Sequence, residues 1–74
     1  MDAASVISEL GYIGHNVAAA AHLLSNVDDA VLAETFRLLD ERKDSYWRDI
    51  AGVEMLRRGM EPGGRLPRDG GDPR

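Results

Sequence analysis

Apolar residues recur through the first third of this chain at alternating spacings of four and three: Val6, Leu10, Ile13, Val17, Ala20 and Leu24. Side chains at that period share one face of an α-helix, so the segment reads as a helix with a stripe to bury. Beside it runs a second stripe, Ile7, Gly11, Gly14, Ala18, Ala21 and Ser25, with little or no side chain after Ile7. Two backbones can approach closely along such a surface, as they do at small-residue contacts between membrane helices. Gly11, Gly14, Ala18 and Ala21 are therefore a candidate helix-packing stripe. Each Gly costs roughly 1 kcal/mol against Ala in a helix interior, and the other use of such a pair is a kink.

The first helix is expected from Asp2 or Ala3 to about Leu24, carried by the Ala18-Ala19-Ala20-Ala21 run. Ser25-Asn26-Val27-Asp28-Asp29 then reads as a turn and a new start. Ser25 or Asn26 can cap the free amides, and the two aspartates fall where the helix dipole favours negative charge. So tight a connection makes the helices it joins antiparallel neighbours. From Val27 to Ala51 there is neither Gly nor Pro, and the stripe Leu32, Phe36, Leu39, Lys43, Tyr46, Ile50, Val53 keeps phase through the charged stretch Asp40 to Asp44. Unbroken phase predicts one helix to about Met60, roughly 50 Å long against roughly 33 Å for the first at 1.5 Å per residue.

The expected fold is accordingly all-α, an antiparallel helical hairpin with a long second helix that assembles into a helical bundle. The alternative breaks the second helix at Asp44-Ser45, either residue capping, and folds a third helix back as a monomeric three-helix bundle. Residues 1–60 form the helical interaction domain in this reading. Residues 61–74, Pro- and Gly-rich with Leu66 as almost their sole apolar side chain, form a flexible tail.

At 74 residues the chain is one small domain. Such a domain buries only roughly 60% of the surface its unfolded chain exposes, and it needs a disulfide, a metal or a partner to be more than marginally stable. With no Cys in the sequence, disulfides and thiolate sites are both excluded, which leaves a partner. No segment approaches the roughly 18 consecutive apolar residues of a membrane span, and no basic residue precedes an apolar run at the N-terminus, so a cytoplasmic protein without a membrane role is expected.

Charge is unevenly spread. Residues 1–34 carry Asp2, Glu9, Asp28, Asp29 and Glu34 with no Lys or Arg, while every basic side chain lies from Arg37 onward. This dipolar layout suits antiparallel pairing of copies or a basic partner on the N-terminal half.

Candidate chemistry is sparse. His15 and His22 lie seven residues apart, roughly 10.5 Å along a helix, whereas ligands on one helical face need spacings of three or four. Ser5, Ser8, Ser25 and Ser45 have no His and acid brought beside them by local sequence, and each is explained as a helix-start or surface residue. No metal, cofactor or small-molecule substrate is implied, and no catalysis.

Association is what remains. A long second helix overhangs a short first one and leaves apolar surface uncovered, the usual mark of an interface. Phe36, Tyr46, Trp47, Ile50, Val53 and Leu56 are the candidate partner-binding residues, and Tyr46-Trp47-Arg48 unites the three side-chain types that most often dominate binding. The expected role is a non-catalytic protein–protein interaction module, a small adaptor, accessory subunit or regulator that self-associates or docks on a larger protein. The alternative is a DNA-associated or antitoxin-like regulator using Arg48, Arg57 and Arg58 as phosphate contacts. A sequence pI near 4.9 opposes it, and so does Glu54, four residues before Arg58 in a favourable orientation for an internal pair.

Overall fold

The computed structural model describes residues 1–61. Their regular structure is all α-helical: α1 (Ala3–Ile13), α2 (Val17–Ser25), α3 (Asp29–Leu38) and α4 (Ser45–Arg57). Helices α1 and α2 correspond to the expected first helix, and α3 and α4 to the expected long second one. The hairpin of two helices is thereby corrected to four shorter ones, and the three-helix alternative undercounts them. No helix of the described residues is long and apolar enough to cross a membrane.

The first break falls in the small-residue stripe. Asp2 caps α1, its carboxylate accepting from the Ser5 amide at 2.9 Å, and the helix buries Ala3, Val6 and Leu10. At Gly14 the backbone turns to φ 73°, ψ −144°, a conformation L side chains rarely adopt, and the Gly14 amide closes the helix on Leu10 O at 3.0 Å. Asn16 then caps α2 by accepting from the Ala19 amide at 3.1 Å, and α2 buries Ala20 and Leu24. The glycine pair is thus half kink and half surface. A Cβ built on Gly11 or Gly14 meets nothing within 4 Å, and Ala18 and Ala21 are exposed, so the stripe makes no close contact within this chain.

The turn after α2 begins later than expected. Ser25 Oγ and Asn26 Nδ2 both donate to His22 O at 2.8 Å, closing α2 instead of opening α3. Asp28 is the cap of α3, accepting from the Val31 amide at 2.8 Å, with Asp29 in the first turn. Despite the short link, α2 and α3 are not the packed neighbours that a tight turn suggested. Helix α1 packs on α2 and α3, and α4 packs on the same two, so the consecutive pair α2 and α3 lies across a diagonal.

The second break needs neither Gly nor Pro. After α3, which buries Leu32, Thr35 and Phe36, Leu39 becomes extended (φ −70°, ψ 131°) while staying buried. Asp40 Oδ1 accepts from the amides of Arg42 at 2.7 Å and Lys43 at 2.8 Å, and Asp44 Oδ2 accepts from the Asp40 amide at 2.9 Å. Two aspartates thereby satisfy a turn that the hydrophobic period read as helix. Because its carboxylate is engaged backward, Asp44 begins α4 without a side-chain cap bond. Helix α4 ends at Gly59 (φ 78°), where the Gly59 amide donates to Leu56 O at 3.0 Å and the Met60 amide to Met55 O at 2.8 Å, the paired closure of a Schellman motif.

One core joins all four helices: Val6, Leu10, Ala20, Leu24, Leu32, Phe36, Leu39, Ala51 and Met55. Across its end Arg58 ties three elements together. Its guanidinium donates to Glu54 Oε2 at 2.8 Å, to Asp29 Oδ1 at 2.8 Å and to Leu24 O at 3.0 Å, which fixes the C-terminus of α2 and the N-terminus of α3 to α4.

Candidate functional site

The second break changes which face of α4 is buried. A helix continuing from α3 would bury Tyr46, Ile50 and Val53, but α4 instead buries Ala51, Gly52, Glu54 and Met55. The seam advances by about one residue, or roughly 100° around the helix. Trp47 therefore comes to the seam and Val53 leaves it. The six expected partner-binding residues are split by this rotation into three groups.

Tyr46 and Trp47 belong to the first group, half-buried beside the break between α1 and α2. The Trp47 indole N–H donates to Gly14 O at 3.1 Å. His15 stacks on Trp47 with ring centroids 5.3 Å apart and planes 10° from parallel, and it meets Tyr46 edge-on at 4.5 Å. These aromatics hold the turn that Gly14 makes possible, and they leave no space between them for a ligand. His15 was outside the expected contacts, because its place on one helical face gave no hint that the chain turns there. Ile50, the second group, is half-buried against the core.

Phe36, Val53 and Leu56 form the third group, and they are brought together. They line an open groove of about 330 Å³ between α3 and α4, completed by Arg48, Asp49 and Gly52. Phe36 is its floor. A Cβ at Gly52 would stand 3.2 Å from Phe36 Cε1, so the bare glycine lets α4 lie directly over that ring. Val53 and Leu56 are the walls, 62% and 63% exposed, a high value for aliphatic side chains adjacent to each other in space. At one end the Arg48 guanidinium carbon sits 4.1 Å from the Phe36 ring centroid, a cation–π contact that orients the charge, and its Nε is buried with no hydrogen-bond partner among the described residues. Gly52 and Arg48 carry no sequence signal for this role, since their meeting with Phe36 depends on the packing of α3 against α4.

The three arginines considered as phosphate contacts all have internal engagements. Arg48 lies on Phe36, Arg57 forms two bonds to Glu54 at 3.1 Å each, and Arg58 is the three-way tie described above. The Glu54 carboxyl, almost buried, is held below the usual carboxylate range by hydrogen bonds first from Arg58 and then from Arg57, against the opposing effect of burial. Arg58 is correspondingly raised, chiefly by Glu54 and Asp29. This is the signature of a structural ion-pair network. Among the described residues no three His, Asp or Glu side chains converge as metal ligands would.

Compared with family models, with curated proteins and with solved structures, the chain matches none. Its groove has to be read from its own chemistry.

Proposed function

We propose that this protein is a non-catalytic interaction module whose contact surface is the α3/α4 groove, with Phe36, Val53 and Leu56 supplying the apolar contact. The observation that carries the reading is the pair Val53 and Leu56, both more than 60% exposed beside a buried aromatic floor. Covering two aliphatic side chains contributes about 25 cal/mol per Å² of apolar area, and a small domain of few internal means has most to gain from it. The residues that surround the groove are a cation on an aromatic ring and a free aspartate, the polar rim that protein interfaces place around an apolar centre. Tyr46 and Trp47, engaged with His15 and Gly14, serve the fold in this reading. A cytoplasmic setting is part of the proposal, supported by the absence of cysteine.

A photo-crosslinking residue placed at Val53 in living cells tests it, with Tyr12, 89% exposed on α1, as the control position. An adduct at position 53 and none at position 12 is expected. Equal labelling at both, or none at either, would remove the groove as the contact surface.

A further inference from the structure

The groove is built to be filled by its own neighbour. Helix α4 carries, side by side, a recess over Phe36 and Gly52 and two projecting aliphatic side chains, Val53 and Leu56. A two-fold interface demands a patch of this kind, complementary to itself, because each residue i that meets j must find j meeting i. We propose that a second copy of this chain occupies the groove, the two α4 helices lying antiparallel about an axis between Val53 and Leu56. This inference rests on the reading of the groove as a contact surface and names its occupant.

Asp49, Val53, Leu56 and Met60 fall at helical spacings of four, three and four, which places them along one narrow line of α4. In antiparallel register about the middle of that line, Val53 lies level with the other copy's Leu56. Leu56 points to the side of the line on which Gly52 and Phe36 lie, so each Leu56 faces the recess of the opposite copy. A volume of about 330 Å³ has room for it. The charges agree with the same register. Asp49, exposed, comes within about 5 Å along the axis of the other copy's Arg57, whose side chain is 66% exposed and turned to the same edge. A parallel arrangement would set Asp49 beside Asp49 and Arg57 beside Arg57, which costs free energy.

Sedimentation equilibrium of the full chain between about 1 and 200 µM reads the outcome directly. Wild type is expected to approach twice its 8.1 kDa mass. Leu56→Asp should raise the dissociation constant by about a hundredfold or more, because it places an unpaired carboxylate in a dry contact. The position is solvent-exposed in the single chain, so an unchanged circular dichroism spectrum should accompany the loss. Asp49→Arg should weaken the dimer, and combining it with Arg57→Asp should restore it, a rescue that only opposed helices give. Three results would overturn the proposal: a wild-type monomer at 200 µM, a dimer indifferent to Leu56→Asp, or a charge swap that weakens the dimer further. A wild-type monomer that still yields a Val53-specific crosslink to another protein would remove the second copy while leaving the groove a contact surface. Absence of both would remove both.

Discussion

The chain interrupts its hydrophobic stripe twice, and the two breaks are made by opposite means. Between α1 and α2 the backbone does it: Gly14 adopts φ 73°, and a side chain 33 residues away, Trp47, holds the freed carbonyl. Between α3 and α4 the side chains do it: Asp40 and Asp44 satisfy three amides within five residues and no glycine takes part. The first break is thus encoded by one residue and secured by the tertiary fold, and the second is encoded and secured locally. They should respond differently to substitution and to pH.

Gly14→Ala has the largest expected effect. A residue with a Cβ held in this region of φ/ψ costs about 1–3 kcal/mol, and the break cannot move because Asn16 caps the next helix. Urea denaturation followed by circular dichroism reads the loss. The sign is decisive, since in an uninterrupted helix the same change would raise stability by roughly 1 kcal/mol.

Trp47→Phe comes next. It keeps an aromatic ring for His15 to stack on and removes only the donor to Gly14 O, so about 1 kcal/mol should be lost by the same measurement. In the double variant with Gly14→Ala the losses should sum to clearly more or less than their separate values, because the two residues share one hydrogen bond. Strict additivity would mean that Trp47 does not secure the first break.

Gly11→Ala is expected to stabilise by roughly 0.5–1 kcal/mol, three residues from a position where the same change destabilises. Nothing stands within 4 Å of a Cβ there, and the residue lies inside α1. A lowered melting temperature would show that the small-residue stripe is packed after all, against another copy.

These contrasts mark what could be read from the sequence. The positions that fill the core from the first three helices, Val6, Leu10, Ala20, Leu24, Leu32, Phe36 and Leu39, all lie on the stripes that periodicity identifies, because burial dictates that spacing whether or not the helix is continuous. Ile13 and Val17 lie on the same stripe yet Val17 is 57% exposed, since they flank the turn at Gly14. Beyond Leu39 the stripe misleads. Lys43, the polar member of the second stripe, falls inside the aspartate turn, and every later apolar position is displaced by the rotation of α4. Phe36, Val53 and Leu56 were legible as unpaired apolar surface, and their convergence with Arg48 and Gly52 was not, because it depends on the angle at which α4 returns over α3. The Glu54–Arg58 pair was visible in the sequence as an i, i+4 spacing. Its extension to Asp29 and Leu24 arises only when the chain closes.

The smallest expected effect separates the breaks by pH. Hydrogen bonds from the Lys43 and Arg42 amides hold the Asp40 carboxyl below its ordinary value of 3.8. A carboxyl depressed in the folded state contributes stability that is complete above the ordinary value and is lost as pH falls through the depressed one. Acidification below about 3.8 should therefore loosen the second break, and the exposed setting of Asp40 keeps the change modest. The first break has an amide cap, Asn16, which does not titrate. Amide exchange measured by NMR between pH 6 and pH 3, corrected for the intrinsic pH dependence of exchange, should show protection falling at Arg42 and Lys43 while Ala19, bonded to Asn16, keeps its own. Asp40→Asn should abolish the pH dependence at Arg42 and Lys43 without touching Ala19. Equal loss at all three amides in wild type would mean that acid opens the bundle as a whole, and that the two breaks differ in how they are encoded but not in what holds them.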